Sequence, residues 1–106
     1  MAYTIAWSDS ALTRLTEILD FIAERNPAAA KRTVLEIMEK VELLADHPRL
    51  APRFLGANDP DLRQLVAGSY RVIYQLNESR AEIWVLAVQH VRERPMELWG
   101  TAPRED

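Results

Sequence analysis

The chain has no cysteine, so it can have neither a disulfide framework, nor a thiolate metal site, nor a thiol nucleophile. That absence fits a reducing compartment. It has only two histidines, His47 and His90, which fall in separate segments without ligand spacing, so neither a metal site nor a cofactor is expected. No run of about eighteen apolar residues occurs that could cross a membrane. The opening "MAYTIAWSDS" carries no basic run followed by an apolar stretch, and the expectation is a soluble, cytoplasmic protein. An excess of positive charge is missing too: the net charge is −3 and the pI about 5.4, which excludes binding to nucleic acid by charge alone.

What remains is an ordinary folded globule. Hydrophobic content is 48%, charged content 27%, and glycine occurs three times, a balance without fibrous or disordered bias. With 106 residues a single domain is expected over residues 1–106, with its core within 3–99 and a mobile tail from residue 100. Charge is unevenly placed. Residues 1–46 hold five basic and eight acidic side chains, whereas 47–99 hold seven basic and six acidic, and every cation in that second part is arginine.

"YTIAW" reads as a short strand. In "SDSALTRLTEILDFIAERN" the spacing of Leu12, Leu15, Ile18, Leu19 and Ile22 is that of one helical face, with Ser8, Asp9 or Ser10 able to cap its start. Asn26 and Pro27 end that helix and begin another, since proline suits the first helical position. The second helix, residues 27–45, carries Ala30, Val34, Ile37, Met38, Val41, Leu44 and Ala45 on one side. So short a link predicts an antiparallel helical hairpin with one shared apolar face. "HPRLAPRFLGANDPD" holds three of the six prolines and reads as a loop long enough to cover or line a site. "DLRQLV", "SYRVIYQL" and "AEIWVLAVQH" then form three strands of a meander, and "VRERPMELWG" a short turn or helix anchored by Met96, Leu98 and Trp99. The fold class is therefore α+β, with a helical hairpin on one face of a small, mainly antiparallel four-stranded sheet.

Arg71 raises the functional question, because it interrupts the apolar and aromatic run "SYRVIYQL". Closing the second hairpin with Leu76 opposite Ala81 puts Tyr70, Val72 and Tyr74 on one face with Ile83, Val85 and Ala87, where the helices should cover them. Arg71, Ile73 and Gln75 fall on the other face with Glu82, Trp84, Leu86, Val88 and His90. That face is mixed in character and is expected to stay open to solvent or a partner. Arg63 joins it if the first hairpin has a three-residue loop and leaves it if the turn has two residues. The first is favoured, since burying an unpaired guanidinium is costly. Arg71, His90 and Arg63 would then converge beside Trp84, with Arg92 and Arg94 at the strand exit. The purely structural alternative pairs Arg71 with Glu82.

The order of strand, helical hairpin, proline-rich loop and meander, with "ILDFIAERNPAAAKR", "LRQLVAGSYRVIYQL" and "VLAVQHVRER", resembles the RelE/ParE superfamily of toxins from type II toxin-antitoxin systems. Two activities go with that resemblance. A RelE-like member would be a ribosome-dependent mRNA endonuclease, in which Arg71 neutralises the phosphorane, His90 serves as general acid or base and Arg63 holds a neighbouring phosphate. A ParE-like member would be a plasmid-stabilisation toxin that inhibits DNA gyrase by binding, without catalytic residues of its own. Net acidity, and the placing of both lysines, Lys31 and Lys40, on the second helix, favour the ParE type. Either type implies a cognate antitoxin whose acidic residues meet Arg63, Arg71, Arg92 or Arg94, over a surface that includes Trp84, Leu86 and Trp99. A non-toxic interaction domain of the same fold is the third possibility.

Overall fold

The computed structural model describes residues 2–54 and 59–93. Strand β1 (Thr4–Trp7) leads into helix α1 (Asp9–Ala23), helix α2 (Pro27–Glu42), a 3-10 turn (Leu43–Ala45), and the meander β2 (Leu62–Ala67), β3 (Tyr70–Asn77) and β4 (Glu82–His90). The caps are those the sequence offers. Ser8 Oγ accepts a hydrogen bond from the Ala11 amide, and Asn26 Oδ1 accepts one from the Ala29 amide with Pro27 in the first turn. Each satisfies a first-turn donor that a helix cannot satisfy internally.

The sheet order is β1-β4-β3-β2, with β1 parallel to β4 and the other pairs antiparallel. Both helices lie on one face. Ala11, Leu15 and Ile18 of α1 and Ile37 and Val41 of α2 form one core with Leu65, Val72, Tyr74, Leu76, Ile83, Val85 and Val88. The buried stripe is narrower than the apolar spacing implies. Small Ala11 and Ala30 are almost fully buried, while Leu12, Leu19 and Met38 remain exposed.

The opposite face is not open. Ile73, Leu86 and Ala87 are buried there with Leu62 and Phe54, and Trp84 packs at their margin. Phe54 comes from the proline-rich segment, which pairs with the outer edge of β2: the Phe54 amide donates to the Leu62 carbonyl, and the Gln64 amide to that of Pro52. This covers an edge that would otherwise present unpaired backbone groups.

The hairpin registers decide where each cation lies. Between β2 and β3, Ala67 faces Tyr70, so the turn has two residues, Gly68 and Ser69. Gly68 sits at φ 60°, a left-handed conformation that favours glycine, and a Cβ there would come within 3.1 Å of a Glu36 carboxylate oxygen. In the second hairpin Leu76 faces Ile83, not Ala81, because Asn77 still pairs with Glu82 and the turn, Glu78 to Ala81, begins one residue later than expected. Its Asn77 Oδ1 accepts hydrogen bonds from Ser79 and from the Arg80 amide. Tyr74 then faces Val85 but Ile73 faces Ala87, leaving Leu86 as the extra residue of a bulge.

Candidate functional site

Because side chains alternate along a strand, the bulge at Leu86 exchanges the faces of everything beyond it. Val88 and His90 belong to the helix-covered face, opposite Val72 and Tyr70, and Ala87 to the other. The two-residue turn likewise places Arg63 opposite Tyr74, on the helix-covered face. The expected convergence of Arg63, Arg71 and His90 on one face is therefore corrected. Arg71 lies alone on its face, His90 behind it at the same end of the sheet, and Arg63 three residues beyond the level of Arg71, about 10 Å at the rise of a strand.

Each arginine has its own intrachain partners. Arg71 does not pair with Glu82. Its Nη1 donates to Gln64 Oε1 (3.2 Å), and its Nη2 to the carbonyls of Val91 (2.6 Å) and Glu93 (3.2 Å). The guanidinium thus ties the turn after β4 to the sheet. Arg63 Nη1 donates to the Ala51 carbonyl at 2.6 Å, and the Tyr74 hydroxyl donates to that of Pro48 at 2.9 Å. These two side chains staple the proline-rich segment. Burial pushes the Tyr74 hydroxyl pKa up, against the smaller opposing effects of a backbone hydrogen bond and the Arg63 charge. The Nε atoms of Arg63 and Arg71 are buried without a partner among the described residues.

The groups brought together are others. At the exit of β4 an open cleft of about 520 Å³ is lined by Arg14, Glu17, Ile18 and Phe21 of α1 with Tyr70, His90, Arg92 and Glu93. The His90 ring meets Tyr70 edge-on, with centroids 5.3 Å apart. Its Nδ1 accepts a hydrogen bond from the Arg92 amide at 3.1 Å, so the neutral ring carries its proton on Nε2. Glu93 closes the turn, accepting the His90 amide at 2.7 Å and Arg14 Nη2 at 2.5 Å. The His90 amide first, and Arg14 after it, lower the Glu93 pKa despite some desolvation. Arg14 also donates to the Val88 carbonyl and neighbours Glu17. Its charge is neutralised locally, whereas the Arg92 guanidinium has no partner among the described residues.

Of the site residues expected from sequence, Arg92 lies on this cleft and Trp84 is half-buried on the opposite face. Leu86 is only 6% exposed and offers no docking surface, a correction that follows from the cover by Phe54. Arg94 and Trp99, with the expected turn or helix around Met96 and Leu98, lie outside the described residues. Arg14, Phe21 and Glu93 were not foreseen. Phe21 did give a signal, a bulky aromatic off the apolar stripe of α1, and it is 68% exposed. Among the described residues no group of three or more His, Cys, Asp or Glu is placed to hold a metal ion, and no helix is long and apolar enough to cross a membrane.

A two-helix hairpin on a four-stranded sheet with an N-terminal parallel strand is the architecture of the RelE/ParE toxins. A chromosomal ParDE toxin-antitoxin system from P. aeruginosa is similar to the chain at a TM-score of 0.69 and 22% identity, over 84% of this chain and 96% of that one. An archaeal RelE-RelB complex from Pyrococcus horikoshii aligns at 0.67 and 20%, over 89% and 100%. The free E. coli toxin RelE, as a double arginine-to-alanine mutant, aligns at 0.64 and 18%, over 87% and 86%. No curated protein matches by sequence. The family model of the ParE toxin of type II toxin-antitoxin systems, parDE, matches residues 5–95. The chain belongs to that family and is a toxin of ParE/RelE fold.

Proposed function

We propose that the chain inhibits bacterial growth in the cytoplasm by binding DNA gyrase, in the ParE manner, and that a cognate antitoxin neutralises it. The observation that carries this reading is the dispersal of Arg63, Arg71 and His90. Phosphodiester cleavage needs cations and an acid-base group aimed at one phosphate. Here the candidate residues occupy two faces, and both guanidiniums are engaged by backbone carbonyls. A binder requires no such convergence. The match to the ParE family and the net charge of −3 point the same way, since entry into an RNA-rich site favours a cationic surface.

The antitoxin is a short partner whose acidic and apolar side chains meet the cleft at the β4 exit. Arg92 supplies an uncommitted cation there, and Phe21, Tyr70 and His90 supply contact area. Arg94 and Trp99, next along the chain, remain proposed contacts of the same partner. Arg71 contributes by holding the turn that carries Arg92. Trp84 marks a second, separate contact on the loop-covered face. The test is supercoiling of relaxed plasmid by purified gyrase, titrated with the purified chain. Inhibition that saturates near one toxin per gyrase site and persists in His90→Ala supports the reading. Full gyrase activity together with cleavage of ribosome-bound mRNA would replace it with the RelE-type activity, and harmless expression without antitoxin would leave a non-toxic domain.

A further inference from the structure

The outer face of α2 carries a charge pattern that nothing in the fold or the toxin reading uses. Ala28, Lys31, Arg32, Leu35, Glu39 and Glu42 form one stripe at helical spacing, and all six are exposed. Leu35 lies at the middle, 46% exposed, with the two cations on its N-terminal side and the two carboxylates on its C-terminal side. None of these four charges is in an ion pair among the described residues, where the pairs are Arg14–Glu17, Arg14–Glu93 and Arg49–Glu78. The carboxylates also fall in the last turn of α2, where the helix dipole disfavours negative charge. Lys40, the basic residue of that turn, lies off the stripe.

We propose that this face docks on a second copy of the chain, α2 against α2 in antiparallel orientation about a two-fold axis through Leu35. The pattern is self-complementary in that arrangement. Leu35 meets Leu35, Lys31 of each copy faces Glu39 of the other, and Glu42 approaches the N-terminal turn of the partner helix beside Ala28. Glu39 thereby gains a cation and Glu42 the favourable end of a dipole. The interface is isologous and closed, which sets its size at two copies. It lies on the outer side of α2, apart from the cleft at the β4 exit.

Sedimentation equilibrium of the purified full chain, over a concentration series at low and high salt, tests this with two reversals, Lys31→Glu and Glu39→Lys. The expected result is a dimer at low salt that weakens with salt. Each reversal alone turns two attractive contacts repulsive and weakens dimerisation about tenfold or more. An equimolar mixture of the two variants regains wild-type affinity. In the mixed dimer both contacts join opposite charges again, because the first variant is acidic at both positions and the second is basic at both. Leu35→Asp abolishes the dimer while circular dichroism stays unchanged, since the position is exposed. A monomer at every concentration, a dimer indifferent to both reversals, or a mixture no tighter than its components would overturn the proposal. So would an α2 face covered by the antitoxin in a complex holding one toxin.

Discussion

The helix-covered face of the sheet is buried by regular structure, with Leu15, Ile37 and Val41 set on Val72, Ile83 and Val85. The opposite face is buried by an irregular segment through Phe54 and carries its polar groups at the rim. The first face therefore draws its stability from packing, and the second depends on side chains that hold loop backbone in place. Arg63 and Tyr74 reach the proline-rich segment from the helix side, and Arg71 reaches the β4 exit turn from the other. Arg63, Tyr74 and Arg71 thus each hold a stretch of loop backbone against the sheet.

The contrast is broken most severely by Ile83→Ala. This residue is fully buried on the helix side, and the loss is expected to be about 3 kcal/mol in chemical denaturation. Its neighbour Trp84, half-buried at the margin of the other face, should cost about half as much when truncated, despite its larger side chain. Equal losses would mean that the loop-covered face packs as firmly as the helical one.

Arg71→Ala comes next, with an expected loss of about 2 kcal/mol as the carbonyls of Val91 and Glu93 lose a charged donor. Arg71→Lys should recover little of it, because an ammonium cannot span both carbonyls and Gln64 as the planar fork does. Amide exchange at Val91 to Glu93 should accelerate in both variants. Unchanged exchange would deny the fastening role.

Tyr74→Phe removes one hydrogen bond to Pro48 and should cost about 1 kcal/mol. Its pH dependence is more telling. Burial holds the Tyr74 hydroxyl above its ordinary value, so its contribution is complete below about pH 10 and lost as pH rises through the raised folded value. The phenylalanine variant should lose less stability in alkali than wild type. Glu93 works at the opposite end of the scale. Its pKa is lowered, so its contribution is present above the usual carboxylate range and lost as pH falls through the lowered value. Glu93→Gln should be less stable than wild type at neutral pH and should match it in acid. The effect is small, because both Arg14 and Glu93 are partly exposed and solvent screens their pairing.

The order and type of the four strands and both α-helices were legible because periodicity, caps and turn residues all pointed one way: Ser8, Asn26, Pro27 and the alternation in "SYRVIYQL" each have a local cause, whereas the 3-10 turn Leu43–Ala45 stands where the spacing predicts the end of the second helix. Site placement was not, and the reason is equally local. A single extra residue at Leu86 exchanged the face of His90, and a turn of two residues at Gly68-Ser69 fixed that of Arg63. A bulge depends on how a strand meets its partner and on the cover that Phe54 supplies, and neither can be read from alternation within one strand. The helix faces erred through alanine. Ala11 is too small to mark a stripe by spacing, yet it is fully buried, whereas Leu12, Leu19 and Met38 fit the spacing and stay exposed.

The central proposal is that this ParE-family chain acts by binding, Arg63, Arg71 and His90 being dispersed over two faces of the sheet. The most direct measurement is a pulse-label of DNA and protein synthesis in the minutes after the chain is induced alone, in wild-type and His90→Ala forms. Early failure of DNA synthesis, with protein synthesis declining later and both forms alike, is the expected result. Immediate failure of protein synthesis that His90→Ala relieves would contradict it.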